Sequence, residues 1–130
     1  MLKAIISILT NDATVRGLVG LNKAKDKYKV YPVVVPETET HPYIVARIAG
    51  KVLGAKNSGY IYNVEVMAYH TSYDDVSSLI EAAENALVSE GPGTIEGISY
   101  GFSQLTNESD DFVKDHDLFV KTATFQTHGI

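Results

Sequence analysis

The hydrophobic residues of this chain follow two spacings, one typical of helices and one typical of strands. Residues 2–10 have the spacing of a short helix with one buried face, formed by Leu2, Ile5, Ile6 and Leu9. Asn11 or Asp12 then provides an N-cap for a further turn. A second helix is predicted at residues 73–90, preceded by the capping-box spacing of Ser72 and Asp75, with a stripe of Val76, Leu79, Ile80, Ala83 and Leu87.

The strand-like segments have a period of two. Residues 30–36 (VYPVVVP) are rich in β-branched side chains, but their two prolines lack the N–H donor, so we predict a short edge strand there. Four further segments alternate in the manner of strands: residues 43–50, 60–70, 94–105 and 117–127. The polar stretch TNESDDFVKDHD between the last two is predicted to be a charged connection.

These elements follow one another in the order α-β-β-β-α-β-β. Most connections between strands are of hairpin length, and only one strand–helix–strand passage occurs. The pattern therefore predicts an α+β fold with a mostly antiparallel sheet of four to five strands and two helices packed on one face. No repeat or linker divides the sequence, so residues 1–130 are predicted to form a single domain.

Charge is distributed unevenly along the chain, although the net charge is only -5. Residues 1–65 contain nine basic and five acidic residues, whereas residues 66–130 contain two basic and eleven acidic ones. An acidic total argues against a dedicated nucleic-acid binder. Cysteine is absent, which excludes disulfides and thiolate sites. No stretch approaches the roughly 20 apolar residues of a membrane span, so no membrane contact is predicted.

No catalytic residue is predicted. Residues 97–101 fit the G-x-S-x-G pattern, which places a nucleophile at a sharp turn from a strand to a helix. Here Ser99 lies within a predicted strand and no helix follows it. We therefore expect Ser99 to be an ordinary strand residue.

No metal ion or other cofactor is predicted either. Acidic residues crowd between 110 and 117, but calcium loops space their ligands at alternate positions around a glycine that this segment lacks. The histidines show no close ligand spacing: His41, His70, His116 and His128. The acidic segment is thus interpreted as a solvated surface.

The lysine-rich segment at residues 23–29 permits two interpretations. Its lysines could contact phosphates, with Tyr28 and Tyr31 nearby for stacking. A solvated, exposed loop is the more common outcome for such a segment and is the one we favour.

The order of elements and several segments together resemble the tail-completion, or tail-terminator, family of tailed bacteriophages and prophages. The resemblance covers nearly the whole chain, from MLKAIISILTNDATVRGLVG through VYPVVVPE and HPYIVARIAG to IYNVEVMAYHTSYDDVSSLIEAAENAL, GISYGFSQLTNESDDF and LFVKTATFQTH. A pattern of segments carries it, since none of them is a signature motif. The lysine-rich segment looks longer than the usual connection in that family.

The resemblance implies a structural protein of the virion without catalytic residues. Members of that family form a ring, commonly a hexamer, on the head-proximal end of the tail tube. The ring stops polymerisation of the tube protein and presents the surface that joins the head-tail connector protein, while DNA passes through as cargo without sequence-specific binding. The implied location is the virion tail, assembled in the cytoplasm of a bacterial host.

A closed ring needs two different complementary patches on each subunit, because head-to-tail contacts are heterologous. We expect basic residues of the first half, namely Lys51, Lys56 and the 23–29 run, to face acids of the next subunit. We place a subunit, tail or head interface at Lys51, Lys56 and Asn57. An alternative places an acidic group in the lumen, where like charge would repel DNA: Asp110, Asp111, Asp115 and Asp117. Two other functions stay open, a head-side completion or neck protein and a small ligand-binding α+β domain.

Overall fold

The structure, a computed structural model, describes residues 1–36, 39–54 and 59–129. Three α-helices lie in these residues: α1 (Leu2–Asn11), α2 (Ala13–Val19) and α3 (Tyr73–Ser89). The strands of the described ranges are β1 (Leu21–Asn22), β2 (Lys27–Tyr28), β3 (Val30–Pro32), β4 (Tyr43–Leu53), β5 (Tyr60–His70), β6 (Gly93–Ile95), β7 (Ile98–Tyr100), β8 (Phe102–Val113) and β9 (Leu118–His128). A short 3-10 helix, Lys114–His116, lies between β8 and β9.

The central sheet has five strands in the order β3-β4-β5-β9-β8. Its three other neighbouring pairs are antiparallel, but β3 runs parallel to β4, so the sheet is mixed. Counting only these strands with α1 and α3, the chain order is the predicted α-β-β-β-α-β-β, and the α+β class is confirmed. The strand pairs β1-β2 and β6-β7 form two small separate sheets.

All three helices lie on one side of the central sheet. Helices α1 and α3 contact its strands, and α2 packs against both helices. We expected two helices; the third forms because the Asp12 carboxylate accepts a hydrogen bond from the Val15 N–H at 3.0 Å and so caps a new helix. The main core lies between the layers and includes Ile5, Leu9, Ile44, Val64, Val66, Leu79, Ile80 and Phe125.

The second half of the chain departs from the prediction at two places. The predicted strand at residues 94–105 is broken, because Glu96 and Gly97 have positive φ angles of 52° and 75° and turn the chain into the β6-β7 hairpin. The predicted charged connection is wrong as well: β8 continues through its acids to Val113, since every residue from Asn107 to Val113 pairs with β9. Only residues 114–117 connect these two long strands.

The start of α3 also differs from the predicted capping box. Ser72 is the N-cap residue, but its side chain makes no capping hydrogen bond. The His70 ring nitrogen Nδ1 instead accepts hydrogen bonds from the N–H groups of Thr71 and Ser72, at 2.7 and 3.3 Å. The other His70 nitrogen, Nε2, lies 3.6 Å from the Asp75 carboxylate.

Candidate functional site

Strand β8 forms one edge of the central sheet and is bare over half its length. Residues 106–112 are all exposed, which means that neither face of this part of the strand is covered. In the described part of the chain no strand pairs with its outer side. An edge of this kind offers unpaired backbone N–H and C=O groups to another strand or chain, and charged side chains are a common protection against unwanted pairing. Three acids lie on it: Glu108, Asp110 and Asp111.

The four predicted acids do not form one group. The Asp110 carboxylate accepts hydrogen bonds from Lys121 at 3.0 Å and from the Tyr73 hydroxyl at 3.2 Å, on the helix-facing side of the sheet. Its neighbour Asp111 points to the opposite side, as successive strand residues do. Asp115 lies in the 3-10 helix and Asp117 in the left-handed position that ends it, with φ 51°.

Lys121 of β9 forms a salt bridge with one of these acids, Asp110 of β8. The hydrogen bond that Lys121 donates to Asp110 raises the pKa of Lys121. Burial opposes this, and electrostatic interactions with Asp110, Tyr73 and Glu108 raise the pKa further. Lys121 therefore stays charged across the physiological range and neutralises Asp110 locally. Glu108 and Asp111, in contrast, form no salt bridge within the described residues.

The predicted basic residues lie in two separate places. The Lys51 ammonium lies 3.9 Å from the centre of the Tyr60 ring and 5.6 Å from that of Tyr62, at the far end of the β4-β5 hairpin. Lys56 and Asn57 lie outside the described residues. Lys51 is seven residues along β4 from Ile44, which pairs with Val30 just after the lysine-rich segment at residues 23–29. At the usual rise per strand residue, Lys51 lies roughly 20 Å from that segment.

The lysine-rich segment is a hairpin beside the opposite edge of the sheet. Strands β1 and β2 pair through Leu21–Tyr28 and Asn22–Lys27, and Lys23, Lys25 and Lys27 are exposed. The prediction of an exposed loop is wrong for Lys29, which is buried: its ammonium donates a hydrogen bond to the Thr40 carbonyl at 3.0 Å. Lys29 thus fastens the connection between β3 and β4 instead of contacting solvent.

Glu39 fastens the same connection from the other side. Its carboxylate accepts hydrogen bonds from the Tyr31 hydroxyl and, at 2.8 Å, from the Asn22 amide. Burial alone would raise the pKa of Glu39, but these two hydrogen bonds, the Thr40 N–H and the charge of Lys29 outweigh it and bring the pKa below the ordinary 4.5. An ionised Glu39 therefore ties the lysine hairpin to the segment that leads into β4.

Strand β3 ends in a tight turn that exposes two valines. The Val34 N–H donates to the Pro32 carbonyl at 2.7 Å, and Val33 between them has φ 65°, which together make a γ-turn. A positive φ is a rare and strained conformation for a β-branched residue. The Val33 and Val34 side chains are 58% and 71% exposed. Sequence reasoning missed this turn, because VYPVVVP contains neither Gly nor Asn to indicate it.

A groove of about 550 Å³ runs along the β3 edge. Its apolar lining includes Ile6, Val30 and Pro32, and its basic lining includes Arg16 and Lys27. The Arg16 guanidinium lies 5.5 Å from the centre of the Tyr28 ring, which also lines the groove. These residues come from α1, α2, the lysine hairpin and β3, so no local sequence pattern could have predicted the groove.

The serine that fitted a nucleophile motif in the sequence lies in a hairpin strand. Ser99 lies in β7, opposite Thr94 of β6, as a strand residue and not at a strand-to-helix turn. Among the residues that the structure describes, no group of three His, Asp or Glu side chains is placed to hold a metal ion. Likewise, no helix in those residues is long and apolar enough to cross a membrane.

Comparison with known proteins gives a match in fold only. No protein-family model matches the sequence, and no curated protein matches it either. Among solved structures, the chain is similar to a chain described as "Virion of native gene transfer agent (GTA) particle", with a TM-score of 0.73 and 15% sequence identity. The match covers 96% of this chain and 90% of the other, so the two share the whole fold.

Proposed function

We propose that this protein is a structural component of a phage-like virion that acts as a tail terminator. In this role it forms a ring on the head-proximal end of the tail tube, stops polymerisation of the tube protein and provides the surface to which the head connector binds. The observation that carries the proposal is the fold shared, over nearly the full length of both chains, with a chain of a gene transfer agent virion.

The surface of the molecule supports an assembly role. One edge of the sheet is long, uncovered and acidic, while the other lies beside a basic hairpin and a groove. A head-to-tail ring requires two unlike surfaces of this kind on each subunit. Part of the uneven charge of the sequence lies at these two edges, with Lys23, Lys25 and Lys27 beside β3 and three acids on β8: Glu108, Asp110 and Asp111.

The roles proposed for individual residues follow from their positions. Lys51 lies at the far end of the β4-β5 hairpin, away from both sheet edges, and we propose that this end, with Lys56 and Asn57, contacts the tube or connector protein. Asp111 extends from the face of the sheet that the helices leave uncovered. Asp115 and Asp117 lie at the turn between β8 and β9. We propose that Asp115 and Asp117 border the lumen through which DNA passes.

Tube capping is the experiment that tests this function. The purified protein is added to growing tail tubes, and tube length is measured by negative-stain electron microscopy with and without it. A terminator shortens the tubes and is seen as a ring of six-fold symmetry at one end. Tubes of unchanged length, with the protein absent from their ends, refute the proposal. Binding to purified head connectors without any capping of tubes would instead identify a head-side completion protein.

The charge-based contact between subunits has its own measurement. Mass is determined by light scattering at increasing salt concentration. Exposed charge pairs weaken as salt shortens the screening length from about 30 Å at 0.01 M to about 3 Å at 1 M. We expect the ring to dissociate as salt rises, and a ring whose mass is indifferent to salt refutes the electrostatic contact.

A further inference from the structure

We infer that the groove along the β3 edge receives the bare β8 strand of a second copy of this chain, and that this contact closes the ring. The inference rests on the proposed function, because it names the two surfaces through which the subunits join. It concerns the β3 and β8 edges, and not the Lys51 end of the molecule.

The two surfaces lie on opposite sides of one subunit, as a head-to-tail contact requires. Strands β3 and β8 are separated by four strand intervals, about 19 Å at the usual spacing within a sheet. A chain therefore cannot satisfy its own β8 edge with its own groove. Each surface needs the other one from a neighbouring copy, and such heterologous contacts generate a ring if the rotation closes.

The two surfaces also lie at the same level of the sheet. The cross-strand rows that begin at β3 end at the acids of β8: one row contains Val30, Ile44, Ala68, Lys121 and Asp110. The row two residues further along β3 contains Pro32, Ala46, Val66, Ala123 and Glu108. Neighbouring copies can thus bring the groove against the acidic strand without a large shift along the strand direction.

The chemistry of the two surfaces is complementary. The groove side carries Arg16 and Lys27 on its walls, together with one acid, Asp26, and Lys23 and Lys25 are exposed on the hairpin beside it, so bases outnumber acids there. The strand side carries Glu108 and Asp111, one on each face, with no salt bridge to another described residue. Opposite potentials on facing surfaces determine the partner and the register of an interface.

Apolar side chains accompany the charges on both surfaces. Phe112, next to Asp111 in β8, is 42% exposed and rests on Phe119 with 4.8 Å between the ring centres. On the groove side, Val33 and Val34 project from the γ-turn, and Ile6 and Val30 line the floor. If the Phe112 ring of one copy meets the apolar groove residues of the next, the contact has the composition of an interface centre, which is enriched in aromatic residues.

Direct extension of the sheet through β3 is not the mode of contact. The Lys29 carbonyl accepts a hydrogen bond from β4 and the Val33 N–H donates one to β4, at 2.9 Å each, so neither group is free. Pro32 has no N–H to offer a neighbouring strand. The Pro32 carbonyl accepts the bond that closes the γ-turn. The β8 strand of the neighbour is therefore held mainly by side chains in the groove and on the lysine hairpin.

Charge reversal tests this contact. One variant reverses the hairpin (Lys25→Glu with Lys27→Glu) and another reverses the strand (Glu108→Lys with Asp111→Lys). Glu81→Lys with Glu84→Lys on α3 makes the same change of net charge as the strand variant and serves as its matched control. Circular dichroism and thermal unfolding establish that each variant folds. Mass is measured by light scattering against protein concentration at low salt.

Each single-surface variant should require about tenfold more protein than the wild type or the control to form rings, since opposing charges become like charges. An equimolar mixture of the two variants should assemble, because every hairpin then finds a strand of opposite charge in an alternating ring. A chain that carries all four reversals should assemble alone. Rings that form equally well from either single-surface variant overturn the inference.

The outcomes separate this inference from the proposed function. If both reversed variants form rings and cap tail tubes as the wild type does, the docking surfaces are wrong while the terminator function stands. If the wild type stays monomeric at high concentration and leaves tubes uncapped, the function and the inference both fail. If the reversed variants are monomeric and their mixture does not assemble, the docking geometry is overturned, since opposite charges on these two surfaces then do not suffice.

Discussion

Removal of the Tyr100 hydroxyl should destabilise the fold without leaving a cavity. Tyr100 is fully buried, and its hydroxyl donates to the Leu87 carbonyl at 3.0 Å. The same oxygen lies 2.8 Å from the Ser103 hydroxyl, which lies 2.8 Å from that of Thr127. Leu87 belongs to the last turn of α3, where carbonyls have no partner within the helix. Tyr100 thus joins the end of α3 to the beginning of β8 and the end of β9.

The magnitude follows from the groups that lose a partner. In Tyr100→Phe the ring keeps its packing, and the Ser103 hydroxyl keeps Thr127. The Leu87 carbonyl is left buried without its donor, which costs about 1–3 kcal/mol, and we take about 2 kcal/mol as the expected loss. For a domain of this size that loss corresponds to a decrease in Tm of about 6–10 °C.

Urea unfolding followed by circular dichroism measures this change. Tyr73→Phe is the matched control, because its hydroxyl bonds to Asp110 in an exposed position, and we expect a change within about 0.5 kcal/mol. The m-value should be unchanged in both variants if the fold persists. A Tyr100→Phe protein as stable as Tyr73→Phe would show that the buried hydroxyl chain does not hold α3 to the β8-β9 hairpin.

Further predictions concern titration, backbone strain and a surface pair. The pKa of Glu39 in the folded protein is below 4.5, so its contribution to stability is complete above pH 4.5 and is lost as the pH falls through this folded-state pKa. In Glu39→Gln, the free energy of unfolding measured in urea should therefore fall less steeply at acidic pH than in the wild type. The pKa of Lys121 is above 10.5, so its contribution is complete below pH 10.5 and is lost as the pH rises further; the difference in stability between the wild type and Lys121→Met should shrink there. Val33→Gly should leave the thermal stability of the monomer unchanged or raise it by up to about 1 kcal/mol, since glycine adopts a positive φ without strain; a clear loss of stability would show that the turn is not strained. Arg47→Met breaks the pair with Glu65 at 2.6 Å, and because the Arg47 side chain is half exposed, we expect a loss of less than about 1 kcal/mol in urea unfolding.

The elements with a strong hydrophobic period were predictable from the sequence. Helix α3 and strand β5 each bury one continuous face, and the prediction placed both within one or two residues of their ends. Strand β8 could not be found this way beyond residue 105, because residues 106–112 bury no face and so show no alternation. Their strand conformation comes from pairing with β9, which is a contact distant in sequence.

The parallel pairing of β3 with β4 had no local indication either. Parallel neighbours usually need a crossover of a dozen or more residues, and only residues 33–42 connect this pair. Hydrogen bonds of buried Lys29 and half-buried Glu39 hold that short connection in place, and both residues had the appearance of surface charges in the sequence. The groove depends on the same contacts, so it could not be predicted from the sequence without the topology.

The two edges of the sheet differ in whether their main chain can pair with another strand. This difference explains why assembly through them would stop at a ring. An open edge on both sides would permit continuous pairing from one copy to the next, which is how sheets aggregate. Here Pro32 and the γ-turn close the β3 edge to main-chain pairing, while β8 stays open but carries acids. A neighbour must therefore match charge and shape in the groove, and that requirement fixes the angle between copies. A fixed angle is what a closed ring needs, whereas unrestricted strand pairing leads to fibres.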